Sequence, residues 1–120
     1  MLLKDIIMNT FDYLIAQNNF NKKIEKINYV CSNIVYSNNK LKIIIYVEEH
    51  ENYFKVEVYD SNNVKVKDLY KYSNIDESLF NANIKNLYFK SQKIFGRKYL
   101  FNIIEEYKNL INNYIKIYLQ

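Results

Sequence analysis

Apolar residues in the first 17 positions recur at spacings of three and four. Leu3, Ile6, Ile7, Phe11, Leu14 and Ile15 form one stripe, with Lys4, Asp5, Asn9, Asp12 and Gln17 opposite. That spacing predicts an amphipathic helix over residues 2–17, and Asn18-Asn19 is a plausible stop for it. From about residue 26 the period changes to two. Ile27, Tyr29 and Cys31 share one face of a first strand running to Tyr36, followed by a turn over Ser37–Lys40. Leu41, Ile43, Ile45 and Val47 alternate with Lys42, Ile44, Tyr46 and Glu48 in a second strand. Phe54, Val56 and Val58 alternate with Tyr53, Lys55, Glu57 and Tyr59 in a third. After the turn signal Asp60–Asn63, Val64 and Val66 alternate with Lys65 and Lys67 in a short fourth strand whose lysines suit an exposed edge. Short connections between these strands demand antiparallel hairpins in the order 1-2-3-4.

Residues 69–96 carry no sustained period and read mostly as loop with short helical turns, one of them capped by Asp76. Residues 97–118 predict the longest helix, on a stripe of Leu100, Ile103, Ile104, Tyr107, Leu110, Ile111, Tyr114 and Tyr118. The expected fold class is α+β: an N-terminal helix, an antiparallel four-stranded β-meander and a long C-terminal amphipathic helix. Both helices are expected on one face of the sheet, since each stripe needs an apolar partner. No repeat or linker interrupts residues 1–120, which read as one domain.

Composition sharpens this reading in one respect. Among 120 residues there is no proline and a single glycine, Gly96. Turns must then be made by Asn, Asp and Ser, which tolerate left-handed backbone and bond to neighbouring amides. Heavy use of Lys, Ile, Asn and Tyr is what an AT-rich genome produces. Hydrophobic residues at 49% and charged residues at 25% are ordinary for a folded domain. A lone cysteine, Cys31, rules out an internal disulfide and fits a reducing compartment. The N-terminus lacks the basic and apolar regions of a signal peptide, and no 18-residue apolar run exists to span a bilayer. The expected location is therefore cytoplasmic, without membrane contact.

Charge is unevenly placed. Between Ser78 and Ile104 there is no acid, but there are five bases: Lys85, Lys90, Lys93, Arg97 and Lys98. The whole chain carries +4, so everything outside this stretch sums to −1. Tyr88, Phe89, Phe95 and Tyr99 are interleaved with the bases. Cations attract phosphates, and aromatic faces stack on unpaired bases at about 1–3 kcal/mol each. Arg97 is the only arginine and follows the only glycine, at the predicted start of the last helix, where amides and the helix dipole favour an anion. The candidate binding residues are thus Lys85, Tyr88, Lys90, Lys93, Arg97, Lys98 and Tyr99. Against this stands the plainer alternative of lysines solvating a loop whose aromatics fill a core. An acidic protein surface would suit the segment as well as a nucleic acid.

Other constellations are weaker. His50 sits among Glu48, Glu49 and Glu51, which reads as a solvated acidic turn, because consecutive turn residues seldom converge on one ion and there is no second histidine. Cys31 reads as a buried, inert thiol. Glu105-Glu106 and Asp76-Glu77 are adjacent pairs, and neighbouring helical residues diverge by about 100°. With one glycine, no phosphate-cradling loop is available. No enzyme, metal or cofactor is expected. Tyr36, Tyr46, Tyr53 and Tyr59 are expected on the sheet face away from the helices, as a protein-binding surface, a homodimer interface or a second core layer.

The succession of helix, meander and helix, centred on the Lys40–Glu57 hairpin KLKIIIYVEEHENYFKVE, resembles small inhibitor-type proteins of AT-rich bacteria and their phages. These are toxin-immunity proteins and anti-defence proteins, the anti-CRISPR type included. The resemblance implies a non-enzymatic protein-binding inhibitor or adaptor that occludes a toxin or defence effector. Immunity proteins against nuclease toxins and inhibitors that mimic nucleic acid tend to be acidic, whereas this chain is basic, so its target surface would be acidic or apolar, or it would capture an anionic ligand. The alternative is nucleic-acid or nucleotide binding through residues 85–99.

Overall fold

The computed structural model describes residues 2–67 and 97–118. The chain divides into two compact units, Met1–Val66 and Lys67–Gln120. In the first, helices α1 (Leu3–Phe11) and α2 (Tyr13–Asn18) precede strands β1 (Asn21–Lys26), β2 (Cys31–Ser37), β3 (Leu41–Glu48) and β4 (Tyr53–Asp60). All neighbouring strands pair antiparallel in one open sheet of order β1-β2-β3-β4. The α+β class and the antiparallel meander expected from the periodicity are both present.

The core lies between α1 and one face of the sheet. Leu3, Ile6, Ile7, Phe11 and Leu14 come from the helices, and Ile34, Tyr36, Ile43, Ile45, Val47, Val56 and Val58 from the strands, all buried. Helix α1 lies against β2 and β3. Strands β2, β3 and β4 show the period-two burial that a one-sided sheet demands. The predicted single helix over 2–17 is broken at Asp12, and Ile15, expected on the apolar stripe, is 40% exposed. Asp12 earns its position by its side chain. Its carboxylate accepts a 2.7 Å hydrogen bond from the buried Tyr36 hydroxyl and two from Lys22 Nζ, at 3.1 and 3.2 Å. Burial first, and then the Asp12 carboxylate, push the Tyr36 hydroxyl pKa well above the ordinary tyrosine value. The Tyr36 ring also meets Phe11, with centroids 6.4 Å apart.

Two strand assignments need correction. The first strand does not run from Ile27 to Tyr36. Residues 27–30 are the connection between β1 and β2, where Asn28 Oδ1 accepts the amides of Val30 and Cys31, and Tyr29 is 96% exposed. The true first strand, Asn21–Lys26, is exposed at every residue, so no apolar alternation marks it. Val64–Lys67 is not a strand either. It makes one bridge, Lys65 to Tyr59, after a turn whose Asn62 and Val64 amides are held by Asp60 Oδ1.

Asparagine does serve where glycine is missing. The three described non-glycine residues with positive φ are Asn19 (57°), Asn52 (49°) and Asn63 (61°). Asn19 closes α2 in the left-handed conformation, as the Asn18-Asn19 signal predicts. Asn38 Oδ1 holds the amides of Lys40 and Leu41 in the β2–β3 turn.

In the second unit, α3 spans Arg97–Tyr118, the range the apolar stripe predicts. Among its described side chains Ile103, Ile104, Leu110, Ile111, Tyr114 and Ile115 are buried. Among the described residues no helix is long and apolar enough to cross a membrane.

Candidate functional surface

Strand register decides which side chains share the outer face of the sheet, away from α1. Across β1 to β4, one row reads Glu25, Asn33, Tyr46, Lys55 and the next Lys23, Val35, Ile44, Glu57. A third pairs Asn21, Ser37, Lys42 and Tyr59, and Cys31, Glu48 and Tyr53 form a shorter fourth. Tyr46, Tyr53 and Tyr59 therefore lie on the outer face as expected, half-buried. Tyr36 does not: it points into the core. Cys31, expected to be buried, is half-buried on the outer face.

Contacts fix these rings. Tyr46 and Tyr53 meet edge to face at 6.1 Å, a favoured aromatic geometry. The Lys42 ammonium lies 5.3 Å from the Tyr59 ring centroid, within cation–π range. The Tyr46 hydroxyl donates to Cys31 Sγ at 3.0 Å, and Tyr59 donates to Glu57 Oε2 at 3.0 Å. Lys55 and Lys65 both reach Glu57, at 3.2 and 3.1 Å. Partial burial pulls the Glu57 carboxyl upward, but hydrogen bonds from Lys65, Tyr59 and Lys55 together outweigh it and hold the pKa below the ordinary carboxylate value. The same hydrogen bond raises the Tyr59 hydroxyl, and the bond to Cys31 raises that of Tyr46. Lys23, Lys42 and Lys55 balance Glu25, Glu48 and Glu57 on this face. With Lys65, which bridges to Tyr59 and also reaches Glu57, the result is an aromatic surface with a formal charge of +1 from four lysines and three glutamates.

The acidic turn is structural. Glu48 accepts the amides of His50 (3.1 Å) and Glu51 (2.6 Å). Glu49 reaches back to the start of α1, accepting from Leu3 N at 2.6 Å and Lys4 N at 3.1 Å. That carboxylate fills the anion-favouring end of the helix from within the chain. Beside it an open cleft of about 310 Å³ is lined by Lys4, Lys26, Asn28, Tyr29, Glu49 and His50, among others. Among the described residues no three His, Cys, Asp or Glu side chains are grouped to hold a metal.

Of the sequence-nominated residues, Lys85, Tyr88, Lys90 and Lys93 lie outside the described residues, and Arg97, Lys98 and Tyr99 occupy the first turn of α3. The tyrosine face was signalled by alternation in β3 and β4, while its charge balance emerges only from the register. Compared with protein families, curated proteins and solved structures, the chain finds no match.

Proposed function

We propose that the protein is a non-enzymatic inhibitor or adaptor that occludes a partner protein, with the outer face of the sheet as its contact surface. The observation that carries this reading is the set of Tyr46, Tyr53 and Tyr59 held in place on a face of mixed, nearly cancelling charge. Tyrosine buries a large ring at the cost of only two side-chain torsions, and interface cores favour it over charged residues. Because the four lysines and three glutamates of the face nearly cancel, the complementary surface is apolar or aromatic rather than strongly charged. The resemblance to immunity and anti-defence proteins suggests a toxin or defence effector as that partner.

The test is a titration of the recovered partner at low and high salt. Affinity should change little with salt and should fall at least about tenfold in Tyr46→Ala/Tyr59→Ala, as central aromatic anchors do. Binding that ignores both tyrosines would overturn the assignment. The alternative, nucleic-acid or nucleotide binding through 85–99, rests on the acid-free run of five bases and has the opposite signature. It requires a steep salt dependence and loss of binding in Lys90→Glu/Lys93→Glu/Arg97→Glu.

A further inference from the structure

The edge of the sheet formed by β1 carries an independent inference. Among the described residues β1 pairs only with β2, and all six residues of β1 are exposed. Ladder bonds alternate along an antiparallel pair. The Glu49 amide bonds Val30 O and the Asn38 amide bonds Leu41 O, which assigns the even-numbered residues of β2 to β3. The odd-numbered residues of β2 therefore bond to β1, through Asn21, Lys23 and Glu25. Lys22, Ile24 and Lys26 are left with three N–H and three C=O groups pointing away from the sheet. No bulge or proline interrupts this row. Such an edge is a template for another strand.

Lysines ordinarily guard an edge against pairing, but these are differently placed. Lys22 is neutralised by Asp12, and Lys23 lies 3.5 Å from Glu25. Lys26 lies 5.5 Å from the Tyr29 ring centroid. What remains is a self-complementary row. A second copy related by a two-fold axis can meet the free groups in three registers, with the axis on Lys23, Ile24 or Glu25. The first sets Lys23 against its own copy, and the third sets Glu25 against its own copy. Like charges directly opposite destabilise a sheet. With the axis on Ile24, each Lys23 faces the partner's Glu25 at the closer, non-hydrogen-bonded spacing. The two Ile24 side chains, each 45% exposed, then meet on the core side. Lys22 faces the partner's Lys26, a repulsion that Asp12 offsets. This register also uses every free backbone group of Lys22, Ile24 and Lys26.

We infer that β1 is a homodimerisation edge, joining two copies antiparallel about Ile24 into one continuous eight-stranded sheet. The axis stands perpendicular to the sheet, so both tyrosine-bearing faces lie on the same side. Five inter-strand steps separate β3 from its copy, roughly 24 Å at about 4.8 Å each. The dimer inference does not depend on the proposed function. An isologous edge contact of this kind is smaller than a standard interface, so the dimer is concentration-dependent.

Sedimentation velocity over a series rising to millimolar protein tests it. Wild type should pass from monomer to dimer. Lys23→Glu and Glu25→Lys should each weaken self-association roughly tenfold, because each turns two opposite-charge contacts into like-charge ones. The double exchange Lys23→Glu/Glu25→Lys should restore it. Mixing the two single variants should produce a heterodimer, since each then supplies what the other lacks. Hydrogen exchange on wild type provides a readout without any substitution: the Ile24 amide should slow as protein concentration rises. A monomer at every concentration, or a dimer indifferent to the charge reversals, would overturn the inference.

Discussion

Replacing Glu49 with alanine removes a side chain that joins two parts of the fold 46 residues apart. Its carboxylate accepts from Leu3 N at 2.6 Å and from Lys4 N at 3.1 Å. No side chain caps α1 locally, because Leu2 stands at the N-cap position. Glu49 therefore does from the β3–β4 turn what Ser or Asp usually does from within the helix. Loss of an N-cap costs about 1 kcal/mol, and a hydrogen bond to a charged group contributes about 1.5–3 kcal/mol when part-buried. The two amides would regain water in the variant, so a net loss of about 2 kcal/mol is expected. For a chain of this size that corresponds to a fall in Tm of roughly 8 °C. Urea denaturation followed by circular dichroism should show a lower midpoint with an unchanged slope. Glu49→Gln keeps one acceptor without the charge and should lose about half as much. The Leu3 and Lys4 amides should exchange faster than in wild type. An unchanged midpoint in Glu49→Ala would refute the claim that this carboxylate anchors α1 to the sheet.

Tyr36→Phe keeps the ring against Phe11 but removes the bond to Asp12, and should cost about 1–2 kcal/mol in the same denaturation assay. Ile45→Ala empties a fully buried position on β3 and should cost about 2–5 kcal/mol, a large share of the total stability of a small domain. Glu57 links stability to acid. Its folded carboxyl titrates below the ordinary value of 4.5, so its contribution is present above that value and disappears as pH falls through the folded pKa. Glu57→Gln should flatten that part of a stability profile measured from neutral pH down to pH about 3, and an unchanged acid limb would refute the role.

The strands the sequence revealed are those with one wet and one dry face. Leu41, Ile43, Ile45 and Val47 alternate because β3 is flanked on both edges and covered on one side. β1 escaped because an edge strand exposed on both faces owes its structure to pairing with β2 rather than to an apolar pattern. That omission had a second effect. The alternation through Ile27 and Tyr29 sets a strand phase, yet both residues lie in the connection before β2. Side-chain period in a strand is two, so a phase borrowed from outside it inverts every face. That phase sends Tyr36 outward and Cys31 inward, the reverse of their places in the sheet. The hydrogen bond between Asp12, where the N-terminal helix is broken, and Tyr36 was illegible because it joins residues 24 apart in sequence. Of the candidate site, Tyr46, Tyr53 and Tyr59 were legible through alternation alone. Their setting of nearly cancelling charge depends on which lysine stands beside which glutamate across the strands, information that exists only once the register is fixed.

The use of asparagine in left-handed turns changes what the denatured chain can do. Glycine at residues 19, 52 and 63 would accept those dihedrals more readily, but it would also leave the unfolded polypeptide freer at three hinges. Asparagine accepts a little local strain in the native turn and forfeits less disorder on folding. Valine or isoleucine at any of the three would suffer the strain, by about 1–2 kcal/mol, without a polar side chain able to bond the neighbouring backbone. Mutational tolerance at these corners should therefore be narrow, admitting asparagine, glycine and aspartate ahead of other residues, although none of the three belongs to the hydrophobic interior.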